Sequence, residues 1–369
     1  MADDIAELLR DLPGLKSVTG VWRLAEQWLA AGDSERVAEL GVRLVGEYRG
    51  REQELWQYVT MRDGLLRLLA RTPGPGQVLA TGRLAQALGG SHFPSLAASL
   101  LVSAQQPAHL AVLFSDGADG PDELRACLVQ ELVVRGVDLA GLPQVANWAG
   151  ASRQRHGQFA WLPLSRAEFE LGYPVPARFP DGESRTGQEA LVWHSGSAPV
   201  PLPGVRETTA AATGELIAAA ARNWAEDSNG RLEARVFEFV EPLTAASLPA
   251  ALGTMGLKCT AAAAQVSLSR CFPVEVWEVL FDAAAEGGAY ESAEYGAYGR
   301  LAAWRSLAGL TGVEEGTPVA ELEALAAAYR WYSFGIDSGW FFRQRWDLAI
   351  VALSPNGRRL AVLAATDTY

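Results

Sequence analysis

The feature that most constrains this chain is the run LAIVALSPNGRRLAVLA, residues 348–364, in which two nearly continuous apolar stretches flank Pro355, Asn356 and Gly357. Asn-Gly tolerates the positive φ that a tight hairpin turn demands, so the run predicts a β-hairpin. Strands with so few polar interruptions are buried on both faces. A second strand signal is RLEARVFEFV, where Leu232, Ala234, Val236, Phe237 and Phe239 include a period-two face. Short strands are also expected at Phe159 to Leu164 and Ala190 to His194.

Helical periodicity governs the first part of the chain. Trp22, Leu24, Ala25, Trp28 and Leu29 share one face, and a new run with Val37, Leu40, Leu44, Val45 and Tyr48 starts at Asp33 or Ser34, either of which can cap it. A third helix carries Leu55, Trp56, Val59, Leu65, Leu66 and Leu69 and ends at the TPGPG run, because proline and glycine stop helices. Shorter helices are expected at Val78 to Leu88, Pro94 to Ser103 and Pro121 to Val134. No fixed repeat period is present, so residues 1–135 read as an irregular helical array, with a plain helical bundle as the alternative.

Residues 136–212 change character. Eight prolines between Pro143 and Pro203 break any long helix, which gives a Pro/Gly-rich, β-containing junction. Residues 213–369 alternate helices and strands, with helices expected at Thr213 to Glu226, Pro242 to Met255, Pro273 to Glu286, Tyr298 to Leu310 and Val319 to Trp331. The fold class is therefore α+β: a helical-array N-terminal half followed by a mixed α/β C-terminal domain that ends in the hairpin.

Composition narrows the function. A chain of 369 residues, nearly half hydrophobic and a fifth charged, builds a globular protein of two or three domains. Its formal charge of -12 disfavours a general phosphate-backbone binder, although Arg153, Arg155 and His156 form a small basic patch and Arg345 adds to it. The start MADDIAELLRDL has no basic segment or uninterrupted apolar stretch, and the Ala210 to Ala221 run falls short of a membrane span. Cys127, Cys259 and Cys271 have no ligand spacing and fit a reducing compartment, so a cytoplasmic protein is expected.

No dinucleotide fingerprint, phosphate loop, HExxH pair or nucleophile elbow is present, so neither a cofactor nor a metal is expected. His92, His109, His156 and His194 limit the choice of general base, with His156 and His194 in polar loops. The densest chemistry lies in GAYESAEYGAYGRLAAW and WYSFGIDSGWFFRQRW. Tyr295, Tyr298, Arg300, Trp304, Asp337, Trp340 and Arg343 offer guanidinium forks, a carboxylate and stacking faces, which together would suit a polar or anionic ligand. The same residues would equally serve as turns and core packing. Asp337, Asp347 and Asp367 could in principle share a hard metal.

At AYGRLAAWRSLAGL and the closing WDLAIVAL, PNG and LAVLAATDT segments the chain resembles an uncharacterised actinobacterial family, the domain-of-unknown-function group numbered 6183, found often in Streptomyces. The likeness is strongest over about the last hundred residues. High Ala, Gly and Arg use with few Lys agrees with such a source, and the resemblance implies no activity, cofactor or site residue. The function expected is protein binding or regulation, for instance neutralising a basic partner such as a toxin. The alternative is an enzyme or small-molecule binder using the seven C-terminal residues.

Overall fold

The computed structural model describes residues 2–51, 54–151, 157–171, 191–196, 201–261, 263–290, 293–342 and 346–369. The chain divides into two compact units, Met1–Ala160 and Trp161–Tyr369. The boundary thus falls at 160/161, later than the change in composition at 135/136, because helices continue past the point where prolines accumulate. The expected junction is not a unit of its own: residues 136–151 belong to the first unit and the described part of 161–212 to the second.

The first unit is helical. In chain order it contains α1 (Ala2–Asp11), α2 (Thr19–Ala30), α3 (Ser34–Tyr48), α4 (Trp56–Arg71), α5 (Pro75–Leu88), α6 (His92–Ala104), α7 (Pro107–Leu110), α8 (Asp122–Val134) and α9 (Pro143–Ala151). Of the two candidate caps for α3, Asp33 is the one used: its Oδ1 accepts from the Arg36 N–H at 3.1 Å. Helices two apart in sequence pack together, α3 on α5, α4 on α6 and α6 on α8. That stacking is the mark of an array rather than of a closed bundle. Leu44, Leu65, Leu66, Leu69, Leu84, Leu101 and Leu128 form its fully buried seam.

The second unit carries a seven-stranded antiparallel sheet among the described residues, made of β1 (Leu191–His194), β2 (Val205–Glu207), β3 (Arg231–Phe239), β4 (Gln265–Cys271), β5 (Arg330–Ile336), β6 (Asp347–Leu353) and β7 (Arg359–Thr366), in the order β1-β4-β5-β6-β7-β3-β2. The helices are α10 (Ala211–Ala218), α11 (Arg222–Glu226), α12 (Leu248–Thr254), α13 (Pro273–Glu286), α14 (Tyr295–Thr311) and α15 (Val319–Ala328). Alternation along the central strands separates two cores. Val351, Leu353, Leu360, Val362 and Ala364 join Leu248 and Leu252 of α12 on one face. Their neighbours Ile350, Ala352, Ala361 and Leu363, equally buried, point to the other face, where α13 and α14 pack against β6 and β7.

The predicted hairpin is β6 and β7, buried on both faces. Its turn is longer than two residues: the Gly357 N–H donates to the Ser354 carbonyl at 2.9 Å, Ser354 N–H to Arg359 O at 2.9 Å, and of this turn's residues only Gly357 has positive φ, +70°. Asn356 instead uses its side-chain Oδ1 to accept from the Arg358 N–H at 3.0 Å. Four expectations about elements differ from the structure. The single helix expected at Thr213 to Glu226 is divided into α10 and α11 by a 3-10 turn at Ala219–Ala221, and the helix expected from Pro242 begins, as α12, only at Leu248. Phe159 to Leu164 forms turns rather than a strand, and the helix expected through Trp331 ends at Ala328, with Trp331 already inside β5.

Candidate functional site

Six of the seven C-terminal site candidates lie among the described residues, with Arg300 and Trp304 in one cluster and Asp337 and Trp340 elsewhere; Arg343 lies outside the described residues, as do Arg153, Arg155, His156 and Arg345. Arg300 and Trp304, one turn apart on α14, are both fully buried. The Arg300 guanidinium grips the buried Glu170 carboxylate with both sides of its fork, Nε to Oε1 at 2.7 Å and Nη2 to Oε2 at 2.9 Å. It also donates to the Pro163 carbonyl at 3.0 Å and the Ser165 carbonyl at 3.1 Å. Trp304 Nε1 donates to the same carboxylate at 2.6 Å, and the Trp304 ring stacks on Phe169. This cluster anchors the 163–170 segment to α14.

Asp337 does different work. It is exposed at the end of β5, and its Oδ1 accepts the Ala264 and Gln265 N–H groups at 2.8 and 2.9 Å, which fixes the start of β4. Trp340 packs edge to face on Phe341 and against the core on the α12 face, the side of the sheet away from α14. Tyr295 opens α14 with φ +61°, and Tyr298 is half-buried one turn later. The three aspartates also part: Asp347 accepts from Thr366 Oγ1 at 2.5 Å, whereas the buried Asp367 accepts from the Ala289 N–H at 2.7 Å. Among the described residues no three His, Cys, Asp or Glu side chains gather as a metal ion requires. Nor, among these residues, is any helix long and apolar enough to cross a membrane.

The arrangement with ligand-binding character is in the helical unit. Because α3 packs on α5 and α4 on α6, the turn after α3 and the turn between α5 and α6 form facing walls of a cleft of about 560 Å³. One wall is Tyr48, Arg49, Gly50 and Arg51, with Glu54 beyond; the other is Leu88, Gly89, Gly90, Ser91, His92 and Phe93. Tyr58 and Arg62 of α4 complete it. Gly89 and Gly90 have φ of +63° and +69°, a double left-handed step that lets the chain reverse and start α6 at the cleft.

Arginine and aromatic rings interleave there. The Arg51 guanidinium lies 4.3 Å over the Tyr48 ring, and that of Arg62 lies 4.9 Å from Phe93 and 5.4 Å from Tyr58. Tyr48 is pinned from below by its hydroxyl, which donates to the Leu9 carbonyl, and burial raises its pKa against the opposing pull of Arg51. For Arg62, burial works to lower the pKa, but hydrogen bonds to Asp63 and Tyr58 outweigh it, so the group stays firmly protonated. Arg49 Nη1 donates to Ala87 O at 3.2 Å, linking the two walls. The charges are partnered by carboxylates: Arg51 with Glu47 at 2.7 Å, and the largely buried Arg62 with both Asp63 at 2.7 Å and Glu54 at 3.3 Å. The Arg51–Glu47 pair is exposed on both sides, and such a pair contributes about 0–1 kcal/mol, so a competing anion can displace Glu47.

The sequence signals for this cleft are the short runs YRGR at 48–51 and GGSHF at 89–93. They stand about 40 residues apart, and only the stacking of alternate helices brings them together.

Residues 19–369 match the profile of a family of unknown function, DUF6183. The chain belongs to that family. The match spans both units of this DUF6183 protein, so the family extends well beyond the C-terminal segments that carried the resemblance. No curated protein and no solved structure matches it.

Proposed function

We propose that this protein works by recognition, with the helical unit taking an anionic group into the cleft between the α3–α4 and α5–α6 turns. One observation carries the reading: three guanidinium groups converge on one cleft of a chain whose formal charge is -12. Two of them lie over aromatic rings, which holds the planar groups at the cleft, where an oxyanion would compete with Glu47 for Arg51. The size of the cleft is within the ordinary range for small-molecule sites, about 300–1,000 Å³. A thermal melt with pyrophosphate, against chloride at matched ionic strength, tests it. The midpoint should rise for the wild-type chain and stay fixed for Arg51→Ala; equal shifts in both would refute the site.

A second reading, regulation through a basic protein partner, draws support from the acidic net charge and from the extended surface that a helical array offers. Repeated native pull-downs that return no stoichiometric protein would remove it. Three buried cysteines, none of them in a disulfide, support a reducing, cytoplasmic setting, and two lysines against 29 arginines support an actinobacterial source.

A further inference from the structure

The anion reading leaves open what the rest of the cleft is for. A lone phosphate or carboxylate needs only a small part of about 560 Å³, and the two walls differ in chemistry. The 49–51 turn presents two exposed arginines. The 88–93 wall presents Leu88, the half-buried Phe93 and the exposed His92, whose ring meets Phe93 edge to face at 5.2 Å. Arg62, over Phe93, stands where the cationic and aromatic parts join.

Two exposed arginines on one turn suit a ligand with more than one negative charge, because a single carboxylate saturates one bidentate fork. A planar ring beside an aromatic wall gains stacking and apolar burial that an inorganic anion cannot use. Resting on the anion reading, we propose that the cleft binds a nucleoside phosphate. Its phosphates lie along Arg49 and Arg51, displacing Glu47 from Arg51, and its base lies against His92 and Phe93. Arg62 bridges the two parts.

Calorimetric titration of the full chain with ADP, pyrophosphate and adenosine tests this, together with Arg51→Ala and Phe93→Leu. ADP should bind at least tenfold more tightly than either pyrophosphate or adenosine. Arg51→Ala should weaken ADP and pyrophosphate alike, by about tenfold or more, which is the scale of one hydrogen bond to a charged group. Phe93→Leu should weaken ADP several-fold and leave pyrophosphate unchanged. If pyrophosphate binds as tightly as ADP and Phe93→Leu treats them equally, the nucleoside part is wrong and the anion site stands. If neither ADP nor pyrophosphate binds to a correctly folded wild-type chain, both readings fall. A circular-dichroism melt of each variant separates loss of binding from loss of folding.

Discussion

At Arg300, a guanidinium that in sequence looks like a ligand's partner donates instead to Glu170 and to the backbone carbonyls of Pro163 and Ser165. The chemistry of the residue was legible; its partner, 130 positions earlier in a proline-rich stretch, was not. Replacing Arg300 by Met leaves Glu170 buried without its counter-charge, and we expect a loss of about 3–5 kcal/mol in urea unfolding. An Arg300→Met chain as stable as wild type would show that this ion pair does not hold the fold. Glu294, half-buried before α14, gives a pH signature. Burial raises its pKa to about 7, with Arg222 and Arg305 opposing and Asp227 and Glu226 assisting. The folded state therefore holds this proton more tightly than the unfolded chain. Its contribution is complete below the ordinary carboxylate pKa and fades as pH rises towards 7. The urea midpoint should fall between about pH 5 and about pH 8 in the wild type, and Glu294→Gln should flatten that slope; an unchanged slope in the variant would assign the effect elsewhere.

Among the elements, the hairpin was readable because turn chemistry and strand hydrophobicity lie within one short run. Gly357 shows how tightly that run is specified. Its φ of +70° disfavours any side chain, and a Cβ there would meet the Leu243 carbonyl oxygen at 2.9 Å. Gly357→Ala should cost about 1–2 kcal/mol, read as a lower denaturation midpoint; no change would mean that the turn relaxes freely. Strand β4 was not expected, and the start of β5 was read as helix, for the opposite reason. QVSLSRC has only Val266 and Leu268 as strong apolar residues, while β5 follows directly on an alanine-rich helix whose propensity runs on into Trp331. Pairing supplies what local preference lacks, since β4 is held between β1 and β5.

For the whole molecule, the α+β class followed from periodicities that change along the chain, and both the helical N-terminal region and the sheet-bearing C-terminal region are present. The cleft was illegible because helix-to-helix stacking, rather than any motif, assembles YRGR and GGSHF. Sheet order has a further consequence, for the making of the protein. Strand β3, ending at Phe239, has β7 as its central-sheet neighbour, and β7 begins at Arg359. About 120 residues separate them, roughly 6–24 s of ribosomal elongation at about 5–20 residues per second. Throughout that interval the nascent chain carries Val236, Phe237 and Phe239 beside backbone groups whose partner strand has not yet been made, so translation itself imposes a delay before these side chains reach their buried setting.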